Sequence, residues 1–138
     1  MTLPEALFTL TIVGILGTLV LPRARHGLDT VKVRAAREAA FGVATRARAI
    51  AVAHGGADFV VDFAAESVSV VNAAGVIVTT ASLDEYDVDV FAAGASARAV
   101  IRYDSRGIGR MASQTVRFQR GSAQAGLTFS SYGRVRRW

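Results

Sequence analysis

The sequence predicts an α+β fold in which one long amino-terminal α-helix packs on an antiparallel β-sheet. Three observations carry this. Residues 1–22 hold a single charge, Glu5, and the run from Leu7 to Leu21 is apolar without interruption by charge. Residues 31–54 are rich in alanine and arginine, which favour helix. From Ala57 onward the pattern changes to short β-rich runs, several alternating with period two. A helix followed by a meander of strands is the order of an α+β domain.

Taken in order, the opening helix over residues 1–21 spans roughly 30 Å at about 1.5 Å per residue, one hydrocarbon thickness. No basic segment precedes the apolar run and no small-x-small pattern closes it, which argues against a cleaved secretory signal. Glu5 sits badly in a plain membrane anchor. A carboxylate costs about 2.5 kcal/mol or more at the bilayer centre and less near an interface, so a compensating cation is required. Gly14, Gly17 and Pro22 are weak points, since glycine costs about 1 kcal/mol and proline about 3 in a helix interior. They lead either to kinks or to local melting over residues 14–22 when the chain leaves lipid.

Beyond Pro22 the helix continues. Val31, Ala35, Ala39 or Phe41, Val43, Ala47, Ile50 and Val52 give an apolar face near helical spacing, with Arg34, Arg37 and Arg48 mainly on solvated faces. His54-Gly55-Gly56 supplies the stop. The chain thus divides into residues 1–27, an apolar helix, and residues 28–138, a globular domain whose amphipathic helix runs to about 55. Strands are expected at "DFVVDFA", "SVSVV", "VIVTT", "YDVDVF", "ARAVIRY", "QTVRFQR" and "LTFSSY". Turns are expected at "NAAG" (72–75) and "DSRG" (104–107).

Composition excludes more than it selects. The 138 residues contain no cysteine, so no disulfide or thiolate site exists. His26 and His54 stand far apart without carboxylates at ligand spacing, which argues against a metal. No nucleophile–base pair, phosphate loop or HExxH is present, so neither an enzyme nor a cofactor is expected. "DEYDVD" (84–89) lacks the spacing and glycine of a calcium loop. Asp84 and Glu85 read better as a turn, and Asp87 and Asp89 as a solvated strand face. Charge is segregated along the chain: +4 over residues 1–48, −7 over 49–97 and +8 over 98–138, adding to +5. Such blocks suit either head-to-tail contact between copies or a basic surface for a polyanion.

The stretch "TLPEALFTLTIVGILGTLVLP" resembles the class III signal and amino-terminal helix of type IV pilins and type II secretion pseudopilins. Thr2, Leu3, Pro4 and Glu5 match the family pattern in order, Pro22 falls at its helix-bending proline, and Met1 stands where phenylalanine is usual. "IRYDSRGIG" and "FSSYGRVRRW" resemble the carboxyl-terminal half of the FimT/GspH-type pilins. The resemblance implies a pilin fold and a chain processed by a prepilin peptidase, with Met1 as the N-methylated first residue. It implies residence in the bacterial inner membrane before assembly, then polymerisation into an extracellular or periplasmic filament by inner-membrane machinery. Met1, Glu5, Gly14, Gly17 and Pro22 would serve assembly, Glu5 by neutralising the amino terminus of a neighbouring subunit.

Three readings follow from the resemblance. The first is a structural subunit of a type IV pilus-like filament, a fimbrium of adhesion or motility, whose partner is itself. The second is a FimT-type minor pilin capturing DNA for uptake. There the Gly133-Arg134-Val135-Arg136 motif, Arg137 and Trp138 would bind, with Arg102, Arg106, Arg110, Arg117 and Arg120 adding basic surface. The third is a GspH-type pseudopilin contacting other pseudopilins in type II secretion. The plainer account of the tail is solubility, or pairing with the acidic 58–89 block of a neighbour.

Overall fold

The computed structural model describes residues 2–95, 97–110 and 113–138, side chains included except at 19–22. Helix α1 (Leu3–His54) runs unbroken for 52 residues, about 80 Å. Pro4 lies in its first turn, where a missing N–H costs nothing, and Gly55 ends it in the left-handed conformation at φ 78°. The expected stop at His54-Gly55-Gly56 is therefore where the helix ends. Among the described residues its first half packs on nothing in its own domain: Leu3, Leu7, Phe8, Leu10, Ile12, Val13, Ile15 and Leu16 are all exposed.

The face that α1 buries contains most of the expected one, with Val43 and Ala47 buried and Ala39, Phe41 and Ile50 packed partly buried against the core, but it is shifted at its ends. Val33, Ala36, Ala40, Val43, Ala44, Ala47 and Ala51 are buried, whereas Val31 and Val52 are exposed. The spacing is helical in both cases. The buried stripe is mostly alanine because a small side chain lets the helix axis approach a sheet closely, and Ala36, Ala40, Ala44 and Ala51 are the positions the expected face left out.

Nine strands follow among the described residues, in two antiparallel sheets rather than one. The first contains β1 (Gly56–Asp62), β2 (Ser67–Asn72), β3 (Ile77–Ser82), β5 (Arg98–Asp104) and β6 (Gly109–Arg110) in the order β3-β2-β1-β5-β6. The second contains β4 (Asp89–Ala92), β7 (Gln114–Arg120), β8 (Ala123–Phe129) and β9 (Val135–Arg137) in the order β4-β7-β8-β9. Alternation selects the inward residues: Phe59 and Val61 on β1, Ile101 and Tyr103 on β5, Val116 and Phe118 on β7, Leu127 and Phe129 on β8.

Three expectations need correction. "YDVDVF" is not one strand: Asp84–Tyr86 is a 3-10 turn, Asp87 adopts φ 51°, and β4 starts only at Asp89. Asp84 and Glu85 do lie in a turn, but Asp87 is held off any strand face by its ion pair with Arg120. "LTFSSY" ends at Phe129, because Ser130 to Gly133 forms a turn. In it the Gly133 N–H donates to the Ser130 carbonyl at 2.8 Å and the Arg134 N–H donates to Ser130 Oγ at 3.0 Å. The basic tail is itself a strand, β9.

That third turn repeats the two expected ones. Asn72 Oδ1 accepts from the N–H groups of Ala74 and Val76, and Asp104 Oδ1 accepts from those of Arg106 and Ile108. Gly75, Gly107 and Gly133 each supply a positive φ at the fourth position. Donation from the Ile108 and Arg106 amides holds the Asp104 carboxyl below its usual range, with the nearby arginines Arg110 and Arg106 adding to the effect.

The sheets meet at a glycine seam. The Gly109 N–H donates to the Tyr132 carbonyl at 3.0 Å, and the Tyr103 hydroxyl donates to the Gly133 carbonyl at 3.1 Å. Burial pushes the Tyr103 hydroxyl up to about 12, which keeps it a donor across the physiological range. A Cβ on Gly109 would lie 2.6 Å from Gly133 Cα, and one on Gly133 would lie 2.5 Å from the Tyr103 ring. Gly109→Ala should therefore destabilise the domain by about 1–3 kcal/mol through overpacking. Gly42→Ala, in the helix with open space around it, should stabilise by about 0.5–1 kcal/mol. Urea unfolding of the two variants checks this pair of opposite signs.

Candidate functional site: the exposed helix and the basic strand face

Two regions hold the expected site residues. At the start of α1, the Thr2 N–H donates to Glu5 Oε2 at 3.3 Å, so Glu5 reaches back over the first turn. The spacing Thr-x-x-Glu is that of a capping box, which gives Glu5 a local role in the single chain in addition to the expected one in assembly. An acidic group in the first turn also complements the positive end of the helix dipole. Gly14 and Gly17 lie within the unbroken helix, and a Cβ added at either would meet nothing within 4 Å. Met1 and the Pro22 side chain lie outside the described residues.

At the other end of the chain, β9 lines the edge of the second sheet and ties it to α1. Val135, Arg136 and Arg137 stand opposite Phe129, Thr128 and Leu127. Trp138 exchanges both main-chain hydrogen bonds with Gly126, at 3.0 and 3.1 Å. Its ring lies over Gly126, where a Cβ would be 2.5 Å from Cζ2, and its indole N–H donates to Thr128 Oγ1 at 3.1 Å. Arg37 Nη1 donates to the Trp138 carbonyl at 3.0 Å.

Alternation along β9 splits the expected DNA-binding group. Arg137 turns toward the helix, where Nη1 donates to Glu38 Oε2 at 2.9 Å and its guanidinium sits 4.6 Å from the centre of the Phe41 ring. Arg137 is a strap holding β9 to α1. Arg136 and Trp138 belong to the opposite, outer face. Arg117, opposite Gly126 on β7, and Phe91, opposite Arg117 on β4, share that face. Trp138 remains half exposed there.

The remaining cations divide by pairing. Arg98 pairs with Asp62 at 2.7 Å, Arg102 with Asp58 at 3.2 Å and Arg110 with Asp104 at 3.8 Å. Arg120 bridges Asp29 on α1, at 2.7 Å, and Asp87. Arg106, Arg117, Arg134 and Arg136 are exposed and have no ion pair among the described residues. The expected basic surface is thus smaller than its arginine count, because Arg102, Arg110 and Arg120 are engaged within the chain. Asp58 and Asp62 of the acidic block are engaged in the same way. Gly133 serves the seam between the sheets and positions Arg134 through its turn.

Hydrogen bonds from Arg137 and then Arg37 hold the Glu38 carboxyl below its usual value of 4.5. A carboxyl lowered in the folded state stabilises it fully above the ordinary value, and that contribution fades as pH falls through the lowered one. Trp138 is the chain's single tryptophan and sits on the strand this carboxylate ties down. Its fluorescence should shift as pH falls below 4.5, reporting loss of the Arg137–Glu38 contact. Glu38→Gln should start from the released value and lack the acid step. A wild-type signal flat through that range would contradict the strap.

Compared by fold, the chain is similar to the crystal structure of the type IV minor pilin FimU of Pseudomonas aeruginosa. The TM-score is 0.60 at 15% identity, over 75% of this chain and 86% of that one. No family model and no curated protein sequence matches the chain. At that identity the likeness is one of fold. The chain has a pilin-like α+β fold, a long amino-terminal helix packed against antiparallel strands, and that helix is long and apolar enough to cross a membrane.

Proposed function

We propose that this chain is a structural, non-enzymatic subunit of a type IV pilus-like filament, held in a membrane by its apolar helix before it polymerises. The observation that carries this reading is the first half of α1. Eight large apolar side chains from Leu3 to Leu16 are exposed there with no partner in their own domain, ahead of a domain whose core is complete. Hydrocarbon and a bundle of sister helices are the two environments that would cover them. The pilin-like fold supports the choice of the second as the destination.

In this reading Glu5 exchanges its capping contact with Thr2 for the α-amino group of a neighbour, after prepilin-type processing and methylation at residue 1. A copy out of register strands both charges away from water, which is heavily penalised. Gly14 and Gly17 lie in the unbroken helix of the single chain, so extension over residues 14–22 belongs to the assembled fibre. Proline at 22 cannot donate to the carbonyl of residue 18, which lowers the cost of that extension. The partners are other copies, related pilins or pseudopilins, and the assembly machinery of the inner membrane.

Glu5→Ala tests this. Breaking a buried pair by removing one partner costs about 3–5 kcal/mol, or roughly a hundredfold or more in association. Filaments sheared from cells should therefore fall by about that factor, while thermal melting of the globular domain, which Glu5 does not contact, stays unchanged. Normal filament yield from the variant would refute the reading.

A second reading, a minor pilin that captures DNA, is favoured by one observation: Arg117, Arg136 and Trp138 share the outer face of the second sheet, with Arg134 at its end. Unpaired guanidinium groups beside an exposed indole suit phosphate contact and base stacking. Each phosphate contact contributes about −0.9 to the slope of log affinity against log salt on duplex DNA. Arg117→Gln with Arg136→Gln should flatten that slope by about two in the detergent-solubilised chain, and Arg137→Gln should leave it nearly unchanged. Absence of binding at low salt would remove this reading.

A further inference from the structure

The globular domain has two ends of opposite charge along the α1 axis. Residues Asp29 and Arg48 mark them, roughly 30 Å apart at about 1.5 Å per residue. At the Arg48 end lie the three repeated turns. Arg48 Nε donates to the Gly107 carbonyl at 3.0 Å, the Ala73 N–H donates to the Gly56 carbonyl at 3.1 Å, and Gly109 bonds to Tyr132. This end presents Arg106 and Arg134, exposed and without an ion pair among the described residues, beside Tyr132, which is 72% exposed. Arg102 and Arg110 stand directly opposite each other on β5 and β6, a like-charge pairing that destabilises unless something negative faces it. Asp58 answers Arg102 at 3.2 Å and Asp104 answers Arg110 at 3.8 Å, which leaves Arg106 and Arg134 as the uncompensated charges.

At the Asp29 end, Asp29, Glu66, Asp84, Asp87 and Asp89 line an open cleft of about 520 Å³ in which Arg120 is the one cation among the described lining residues. Lys32 lies near Asp87, and Arg23 and Arg25 are further toward the amino terminus on α1. The turns at the Arg48 end do not need their arginines. Asp104 and Ser130 satisfy the turn amides, and the guanidinium groups of Arg106 and Arg134 project from positions that any polar residue would fill.

We propose that the basic end, built on Arg106 and Arg134, is a docking surface for the acidic end of a second copy of this chain. The inference rests on the filament reading and names the axial contact between its globular domains. Charge decides the partner and its orientation. A two-fold contact would set like on like at either end, whereas a head-to-tail contact sets each end on its complement. A head-to-tail contact that does not close on itself generates a helical filament. It also keeps all copies pointing the same way, as a shared helical core requires.

The chain contains no cysteine, which makes the contact directly testable in filaments of the full chain. Arg134→Cys together with Asp84→Cys, treated with a short bis-maleimide, should give a ladder of covalent dimers, trimers and higher multimers. Either substitution alone should give none. Filaments that form but yield no ladder overturn the contact, and so do dimers from Arg134→Cys alone, since those report a two-fold contact. A wild-type chain that makes no filament refutes the filament reading and takes this contact with it. Arg106→Glu with Arg134→Glu should lower filament yield roughly tenfold, the effect of about 1.4 kcal/mol per interface. Adding Asp84→Arg and Asp89→Arg to that chain should restore it, and failure to restore a folded variant also counts against the pairing. Trp138 fluorescence confirms folding, and where the reversed chain is unfolded the ladder alone decides.

Discussion

The alanine stripe on α1 sets the terms for the rest of the domain. Ala36, Ala40, Ala44, Ala47 and Ala51 are buried, and their small side chains let one helix lie close to two sheets at once. Larger residues there would lift the helix off both. The bulk that fills the core comes instead from the strands, through Phe59, Tyr103, Phe118 and Phe129, with the Phe59 and Phe129 rings 5.4 Å apart across the sheets. Because the helix contributes little volume, its outer faces keep their arginines, and Arg37 and Glu38 are available to hold the last strand. The same rod that completes the core therefore anchors the carboxyl terminus.

From that packing the seam follows. Two sheets sharing one helix converge where their backbones can touch, and the Gly109–Gly133 approach is that place. Tyr103 closes it from inside with a hydroxyl that burial keeps protonated. Gly133 thus has a structural duty that precedes any role for the arginines after it. The turn it completes fixes where Arg134 projects and which way β9 leaves. Alternation then assigns Arg137 to the helix and Arg136 to solvent. A glycine read as part of a binding motif and an arginine read as a ligand both prove to be parts of the scaffold that presents their neighbours.

The helix, its stop and the turns at Asn72–Gly75 and Asp104–Gly107 were legible in the sequence because each rests on local chemistry. The run of apolar residues, the His-Gly-Gly terminus and the Asx-x-x-Gly spacing need no partner to be recognised. What was illegible depended on distant contacts. The stretch "AQAGLTF" has weak β propensity in its first half, and it is a central strand only because β7 pairs along its length and Trp138 covers Gly126. The tail reads as a solvated charge run, yet it becomes β9 through Glu38, Phe41 and Gly126, far away in sequence. Asp87 leaves the expected strand because aspartate tolerates the left-handed region and Arg120 holds it there. At the site, residue types were readable, but which arginines are engaged was not. Pairing such as Arg98 with Asp62 is fixed by strand register, which composition does not encode.

Magnitudes divide the work between the two halves of the chain. Burying one leucine, phenylalanine or isoleucine contributes about 1.5–3 kcal/mol, and α1 offers seven such residues from Leu3 to Leu16. An exposed ion pair contributes about 0–1 kcal/mol. In the proposed filament the apolar helix would therefore drive the chain into lipid or among its sisters, and with little preference for register, since one apolar side chain slides past another at small cost. Charges are too weak to drive assembly but are costly to misplace. In that proposal Glu5 at one end of the rod and the opposed ends of the globular domain at the other would distinguish one register from the next. The contacts between globular domains would be small per copy and multiplied along a repeating interface, so a geometry only slightly preferred at each contact would become the one a whole fibre adopts.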